Sequence, residues 1–216
     1  PRPNVGRRRT LADVSRRLLS STLLRSVLSV WAWLALGLVV LIIVPLVAVV
    51  RLVTAPFDPG RYHAGRLFRQ IGVLHEKLNP LWRFTVTGAA PADPRRPSVV
   101  GANHESFVGI LLICHVPMKM KWMRKSDFFK YPFIGWGLRL VGDIRLDRGD
   151  KKAGARALIE CRDRLDKHVS VMIFPEGTRS KTAELLPFKD GAFRLAIEAG
   201  VPILPVAFDY SKRALV

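Results

Sequence analysis

From Ser26 to Val50 the chain carries no charged side chain, and Arg25 and Arg51 close the run at its two ends. At about 1.5 Å per residue, a helix over this run is long enough to cross a hydrocarbon core about 30 Å thick. A cleaved signal peptide does not fit. The apolar stretch is too long, and no small-residue cleavage site with a disulfide-ready domain follows it. The run therefore reads as a membrane segment, and the rest of the chain has to fold beside a bilayer.

Arg2, Arg7, Arg8, Arg9, Arg16, Arg17 and Arg25 precede the run, which places the N-terminus on the cytoplasmic side by the positive-inside rule. The part that follows is also basic and suited to cytosolic substrates. Both ends on one side would require a re-entrant or interfacial insertion, for which Gly37 and Pro45 offer bends. Spanning and re-entrant arrangements both remain open. Beyond Pro56 and Pro59, Tyr62, Leu67, Phe68, Ile71, Leu74 and Leu78 alternate with Arg61, Arg66, Arg69 and Lys77. That is a basic amphipathic helix, fitted either to the headgroup layer or to the side of a domain.

At 216 residues there is room for one domain with a proper core. Lys and Arg outnumber Asp and Glu by 35 to 17, a formal charge of +18, so the partners are anionic. Nucleic acid is supported by charge alone, with no binding motif beside it, and a basic juxtamembrane arm is what anionic lipid attracts. Cys114 and Cys161 lie in apolar or helical patterns without metal-ligand spacing and read as reduced core thiols.

Past Pro80 short strands and helices alternate. Strands are expected over 82–88, 98–102, 118–123, 143–147, 169–174 and 201–208, the last two buried. Helices are expected over 107–115, 151–168 and 190–200, with a glycine-broken helix or loop over 131–142. Ala155, Leu158, Ile159, Arg162 and Leu165 are the expected inner face of the second helix. The pattern gives an α/β fold, a mixed β-sheet flanked by helices, with an N-terminal membrane-anchoring helix pair. Residues 1–80 form the basic arm, membrane helix and amphipathic helix, and 81–216 the α/β domain.

Two polar clusters follow apolar strands: Asn-His-Glu-Ser from Asn103, and Pro-Glu-Gly-Thr-Arg-Ser from Pro175. Groups just beyond strand ends are where α/β sheets bind ligands, so the clusters belong to one cleft. Arg179 beside the amides of Gly177 and Thr178 suits a phosphate. Alone, the second cluster is an ordinary solvated turn and His104 a structural histidine. A working His104 needs a carboxylate to fix its tautomer, expected in the first turn of the following helix.

NHESFVG (103–109), GDIRLDR (142–148), FPEGTRS (174–180) and VPILPVAF (201–208) together resemble the four ordered blocks of the PlsC-type glycerophospholipid acyltransferases, the bacterial 1-acylglycerol-3-phosphate acyltransferases most of all. The resemblance runs from about Arg83 to Phe208 and extends to the helical anchor. It implies the glycerolipid acyltransferase fold, with His104 as general base on the sn-2 hydroxyl of lysophosphatidic acid, which attacks an acyl thioester to give phosphatidic acid. It further implies that Lys125 and Arg179 hold the acceptor's phosphate and that Glu176, Gly177 and Thr178 shape that pocket. Arg145 and Arg148 are implied for acceptor or carrier phosphates. No cofactor and no metal are implied. Acyl-CoA or acyl carrier protein is the co-substrate, and the setting is a phospholipid membrane at the cytoplasmic face of the cell membrane.

One position departs. The family pattern places Asp five residues after the histidine, where this chain has Gly109. Glu105 adjoins His104 and is poorly placed to turn back onto its neighbour's ring. Gly109 costs a helix about 1 kcal/mol relative to Ala, so local folding does not recommend it. The expectation is a site impaired by an engineered or natural substitution, with a non-catalytic lipid-binding relative and an acyltransferase for another lysophospholipid as alternatives. The family usually continues beyond the strand that ends near Phe208, so a C-terminally incomplete domain is also expected.

Overall fold

The computed structural model describes residues 22–80, 82, 84–88, 92–104, 106, 108–180 and 184–208. The arginines before Thr22, together with Glu105, lie outside that set. The uncharged run forms the middle of helix α1, Thr22–Thr54. Helix α2, Tyr62–Leu78, runs back along it, and the Trp31 indole N–H donates to the Leu78 carbonyl at 2.9 Å. Asp58 starts α2, its two carboxylate oxygens accepting the N–H groups of Tyr62 and His63, both at 2.8 Å. A carboxylate at this end satisfies orphan donors and favours the helix dipole.

The expected pair of anchoring helices resolves into one. Among the described residues only α1 is long and apolar enough to cross a membrane. Helix α2 turns its apolar face inward: Ala64, Phe68 and Ile71 share a core with Val39, Val40, Ile43, Val44 and Val47 of α1 and with Phe129, Leu138 and Val141 of the α/β part. Of the two fates open to an amphipathic helix, packing against protein is the one seen. Leu74 and Leu78 remain exposed.

The α/β part contains strands β1 (Val99–Ala102), β2 (Met120–Lys125), β3 (Ile144–Leu146), β4 (Ser170–Ile173) and β5 (Ile203–Val206). Between them lie helices α3 (Val108–Leu112), α4 (Ile134–Val141), α5 (Lys151–Asp166) and α6 (Gly191–Ala199). The sheet order is β3-β2-β4-β1-β5, and every pairing is parallel. The expected mixed sheet is thus corrected. Each pair of successive strands is joined by a helical crossover that returns the chain to the same end of the sheet, and this makes the strands parallel. All five C-terminal strand ends consequently lie along one edge.

Three local expectations change as well. The described residues of 82–88 pair with no described strand; Trp82 and Phe84 instead stack at 5.7 Å and meet His75 and His115 edge-on. Their alternation reflects aromatic packing onto α2 and the turn after α3. Helix α5 buries Ala153, Ala157, Cys161 and Leu165, leaving Ile159 70% exposed. Small residues every fourth position let this helix lie close to the sheet, which outweighs the pull of one isoleucine. Strand β5 forms a half-exposed sheet edge rather than a buried strand.

The glycines of 131–142 do not break the helix. A Cβ at Gly137 would fall 2.4 Å from the Phe68 ring, and one at Gly135 would fall 2.4 Å from the Phe129 carbonyl oxygen. Close approach to α2 and to the preceding turn offsets the propensity cost of about 1 kcal/mol each.

Where α2, α4 and the sheet meet, buried charges are paired. Asp143 accepts from Arg69 at 3.1 Å and from Arg124 at 3.0 Å, and both guanidiniums lie over the Trp122 ring. Lys121, buried beside them, donates to the carbonyls of Arg61 at 2.8 Å and Val141 at 2.6 Å. Burial pulls its ammonium down to about 7.

Candidate active site

Strand β1 ends at Ala102 and delivers Asn103 and His104 to the C-terminal edge of the sheet; neighbouring β4 delivers Phe174 to Ser180 to the same edge. The two loops are stitched through the main chain. The His104 N–H donates to Glu176 Oε1 at 2.6 Å, and the His104 carbonyl accepts the Ser180 N–H at 2.9 Å. Glu176 Oε2 accepts the Leu186 N–H at 3.0 Å. Both oxygens of this buried carboxylate thus hold backbone donors, and its observed work is to position His104 and the loop over 184–188.

The His104 imidazole lies face to face with Phe174, ring centres 4.0 Å apart and planes 15° from parallel. It is 8% exposed, and its Nδ1 is buried without a hydrogen-bond partner among the described residues. Burial is the chief reason that the imidazole is pulled down to about 4; the positive charges of Arg148 and Arg179 add to it and Glu176 opposes it. The ring is therefore neutral at pH 7 and able to accept a proton.

Gly109 lies in the first turn of α3, buried, where the sequence leads one to look for the carboxylate. A Cβ there would approach Cδ2 and Cε2 of Phe208 at 3.2 and 3.4 Å. Phe208 is fixed from the other side by Asn103. The amide Nδ2 of Asn103 donates to the Phe208 carbonyl at 3.0 Å, and its Oδ1 accepts the Phe208 N–H at 2.7 Å. Beyond Phe208 a cleft of about 700 Å³ opens between residues 85–88, the end of α3 and β5.

The turn after β4 depends on Gly177, whose φ of +72° is left-handed and whose Cβ would fall 2.9 Å from Cε and Nζ of Lys189. The left-handed φ is what favours glycine there, since the end of the Lys189 side chain can move aside. Thr178 and Arg179 are exposed beside it. Arg148, after β3, is also exposed and close enough to act electrostatically on His104. Of the residues singled out in the sequence, His104, Gly109, Glu176, Gly177, Thr178, Arg179 and Arg148 gather along this edge. Lys125 and Arg145 sit toward its far end, on β2 and β3, engaged by Asp127 at 2.5 Å and Asp147 at 3.3 Å.

The sequence motifs contain Asn103, Phe174 and Phe208 but assign none of them a role, and Lys189 lies outside every motif. Their roles arise from contacts between loops that are far apart in the chain.

Comparisons with known proteins bear on this arrangement. Residues 83–209 match the family model described as Acyltransferase. A 1-acyl-sn-glycerol-3-phosphate acyltransferase of Chlamydomonas reinhardtii is 37% identical over 128 residues, which is 59% of this chain and 39% of the relative. One from Helicobacter pylori is 38% identical over 106 residues, 48% of this chain and 45% of the relative. The chain spans about two fifths of the length of such curated relatives. Among solved structures, the 1-acyl-sn-glycerophosphate (LPA) acyltransferase PlsC from Thermotoga maritima superposes with a TM-score of 0.67 at 25% identity, covering 83% of this chain and 71% of that one.

Proposed function

This chain belongs to the acyltransferase family, and on that premise we propose that it is built to transfer a fatty acyl group from a thioester donor, acyl-CoA or acyl carrier protein, to the sn-2 hydroxyl of lysophosphatidic acid. His104 Nε2 takes the hydroxyl proton as the oxygen attacks the thioester carbonyl carbon. The new C–O bond forms, the C–S bond breaks, and the proton passes to the departing thiolate, leaving phosphatidic acid, a free thiol and a neutral imidazole. Arg148 and Arg179 hold the acceptor's phosphate, with Lys125 and Arg145 as further cations along the edge and the Gly177–Thr178 turn supplying the floor. An anion held there offsets the two charges that depress His104 and so raises its basicity as substrate binds.

The buried Nδ1 of His104, without a hydrogen-bond partner among the described residues, carries this reading. To take a proton at Nε2 the ring must keep its own on Nδ1, and a buried N–H left without an acceptor costs about 1–3 kcal/mol. The ring is therefore biased toward the other tautomer, which cannot act as the base. A carboxylate at position 109 would accept the Nδ1 proton and steady the imidazolium. Its absence, by analogy with a triad whose carboxylate is neutralised, lowers turnover by about 10⁴. In this reading the chain keeps the binding edge and lacks the group that orients its base.

The long packed contact between α1 and the α/β part supports a membrane setting in which both lie on one side. With Val39, Val40, Ile43, Val44 and Val47 buried against α2 and the neighbourhood of α4, one face of α1 lies along the domain instead of projecting from it. The described part of the anchor, 22–80, then rests in one leaflet at the cytoplasmic face, beside the α/β part that does the transfer.

The test is acyl transfer to lysophosphatidic acid in vesicles by this chain, by Gly109→Asp, and by Gly109→Asp with His104→Ala. The expected result is turnover in Gly109→Asp alone. Since a Cβ at 109 presses on Phe208, the Gly109→Asp, Phe208→Leu pair provides the same carboxylate with room to seat. If neither Asp form turns over while both bind lysophosphatidic acid, the non-catalytic lipid-binding reading replaces this one.

A further inference from the structure

Helix α4 buries one face and turns aromatic side chains outward on the other. At helical spacing Ile134, Leu138, Leu140 and Val141 form the inner stripe, and Trp136, with Phe133 just before the helix, forms the outer one. The first stripe packs into the core shared with α1 and α2. On the second, Trp136 is 52% exposed and Phe133 36%, and Tyr131, just before them, is 59% exposed. Phe133 and Trp136 pack on each other with ring centres 4.9 Å apart. Phe133 holds a φ of +58°, a backbone state that bulky side chains rarely adopt.

Large aromatic side chains grouped on one exposed face are normally covered, by protein or by lipid. No described residue covers the outer stripe of α4. We propose that it is a second membrane contact, lying in the interfacial layer of the same leaflet that receives α1. Three features favour lipid as its occupant. The stripe is continuous with the anchor, because the inner face of α4 packs against α1 while α1 exposes Leu34, Leu38, Leu41 and Leu46 outward. The exposed residues are Tyr, Phe and Trp, the types that settle at the boundary between hydrocarbon and headgroups. Exposed Lys130 and Arg139 flank the stripe, where cations meet anionic headgroups. The contact fixes how α1 and the α/β part, packed as one body, are rolled about the α1 axis in the membrane, and so sets how the strand-end edge faces the bilayer.

This inference rests on α1 being membrane-seated, and its test separates the two. An environment-sensitive fluorophore is attached to the full chain at Leu34→Cys, Trp136→Cys or Ile159→Cys. All three positions are exposed, on α1, α4 and α5 respectively. The unsubstituted chain provides the background from Cys114 and Cys161. Each is mixed with phosphatidylcholine–phosphatidylglycerol vesicles containing a lipid with a headgroup-level nitroxide. The expected result is strong quenching at 34 and 136 and little at 159. Quenching at 34 with 136 behaving like 159 overturns the second contact and leaves the anchor standing. Loss of quenching at all three sites overturns both. Transfer between probes at 136 on separate copies, without lipid, would make the stripe a copy-to-copy interface and also overturns the proposal.

Discussion

Replacing Glu176 by Gln tests whether this carboxylate is the clamp that sets His104. Glu176 is 3% exposed, and its oxygens accept the N–H groups of His104 at 2.6 Å and Leu186 at 3.0 Å. Glutamine has the same shape, but its oxygen can satisfy only one of these donors while its NH₂ faces the other. One charge-assisted bond is then lost and one buried N–H is left unpaired. With a bond to a charged group worth about 1.5–3 kcal/mol and an orphaned donor costing about 1–3 kcal/mol, Glu176→Gln should destabilise by about 2.5–6 kcal/mol. Glu176→Ala, which orphans both donors, should cost more. The assay is denaturant unfolding in detergent, followed by fluorescence, for the parent and both variants. A Glu176→Gln chain within about 0.5 kcal/mol of the parent, the range of an inconsequential surface change, would refute the clamp. Glu176 would then be free to serve the substrate directly.

Two further outcomes depend on charge. Arg148→Gln combined with Arg179→Gln should raise the His104 pKa from about 4 part of the way toward 6.5, since burial, the larger cause, remains; an NMR titration of its ring proton reads this, and no shift would place both arginines away from the site. Burial holds Lys121 near 7 against about 10.4 when unfolded, so between these values the unfolded chain binds more protons. Stability should therefore rise with pH from ~7 to ~10 and fall as pH drops through that window. Lys121→Met should flatten this rise in unfolding midpoints, and an unchanged slope would assign it to other groups.

Much of the architecture was readable because it is written in local pattern. The uncharged stretch before Arg51 could only be a long apolar helix, since a backbone away from water must satisfy its own hydrogen bonds. The strands around Val99, Val171 and Ile203, and the helix closed by Gly200 with its φ of +65°, follow from apolar runs and capping chemistry. The two clusters were found because a parallel sheet exposes its ligand-binding groups just after its strands.

Other features depended on contacts between distant residues. Strand direction leaves no trace in hydrophobicity, so a mixed sheet and a parallel one looked alike until the crossovers were placed. Whether α2 faces lipid or protein is decided by packing, and α1 with the Leu138–Val141 region covers Phe68 and Ile71. Within the site, the sequence supplied His104 and noted the glycine five residues on. Tertiary packing supplied the clamp from Glu176, the stacked Phe174, and Phe208 pinned by Asn103 against Gly109. Periodicity and capping act over a few residues and are carried by the chain itself; strand direction, burial and the electrostatic field at an imidazole depend on groups that only the folded backbone brings together.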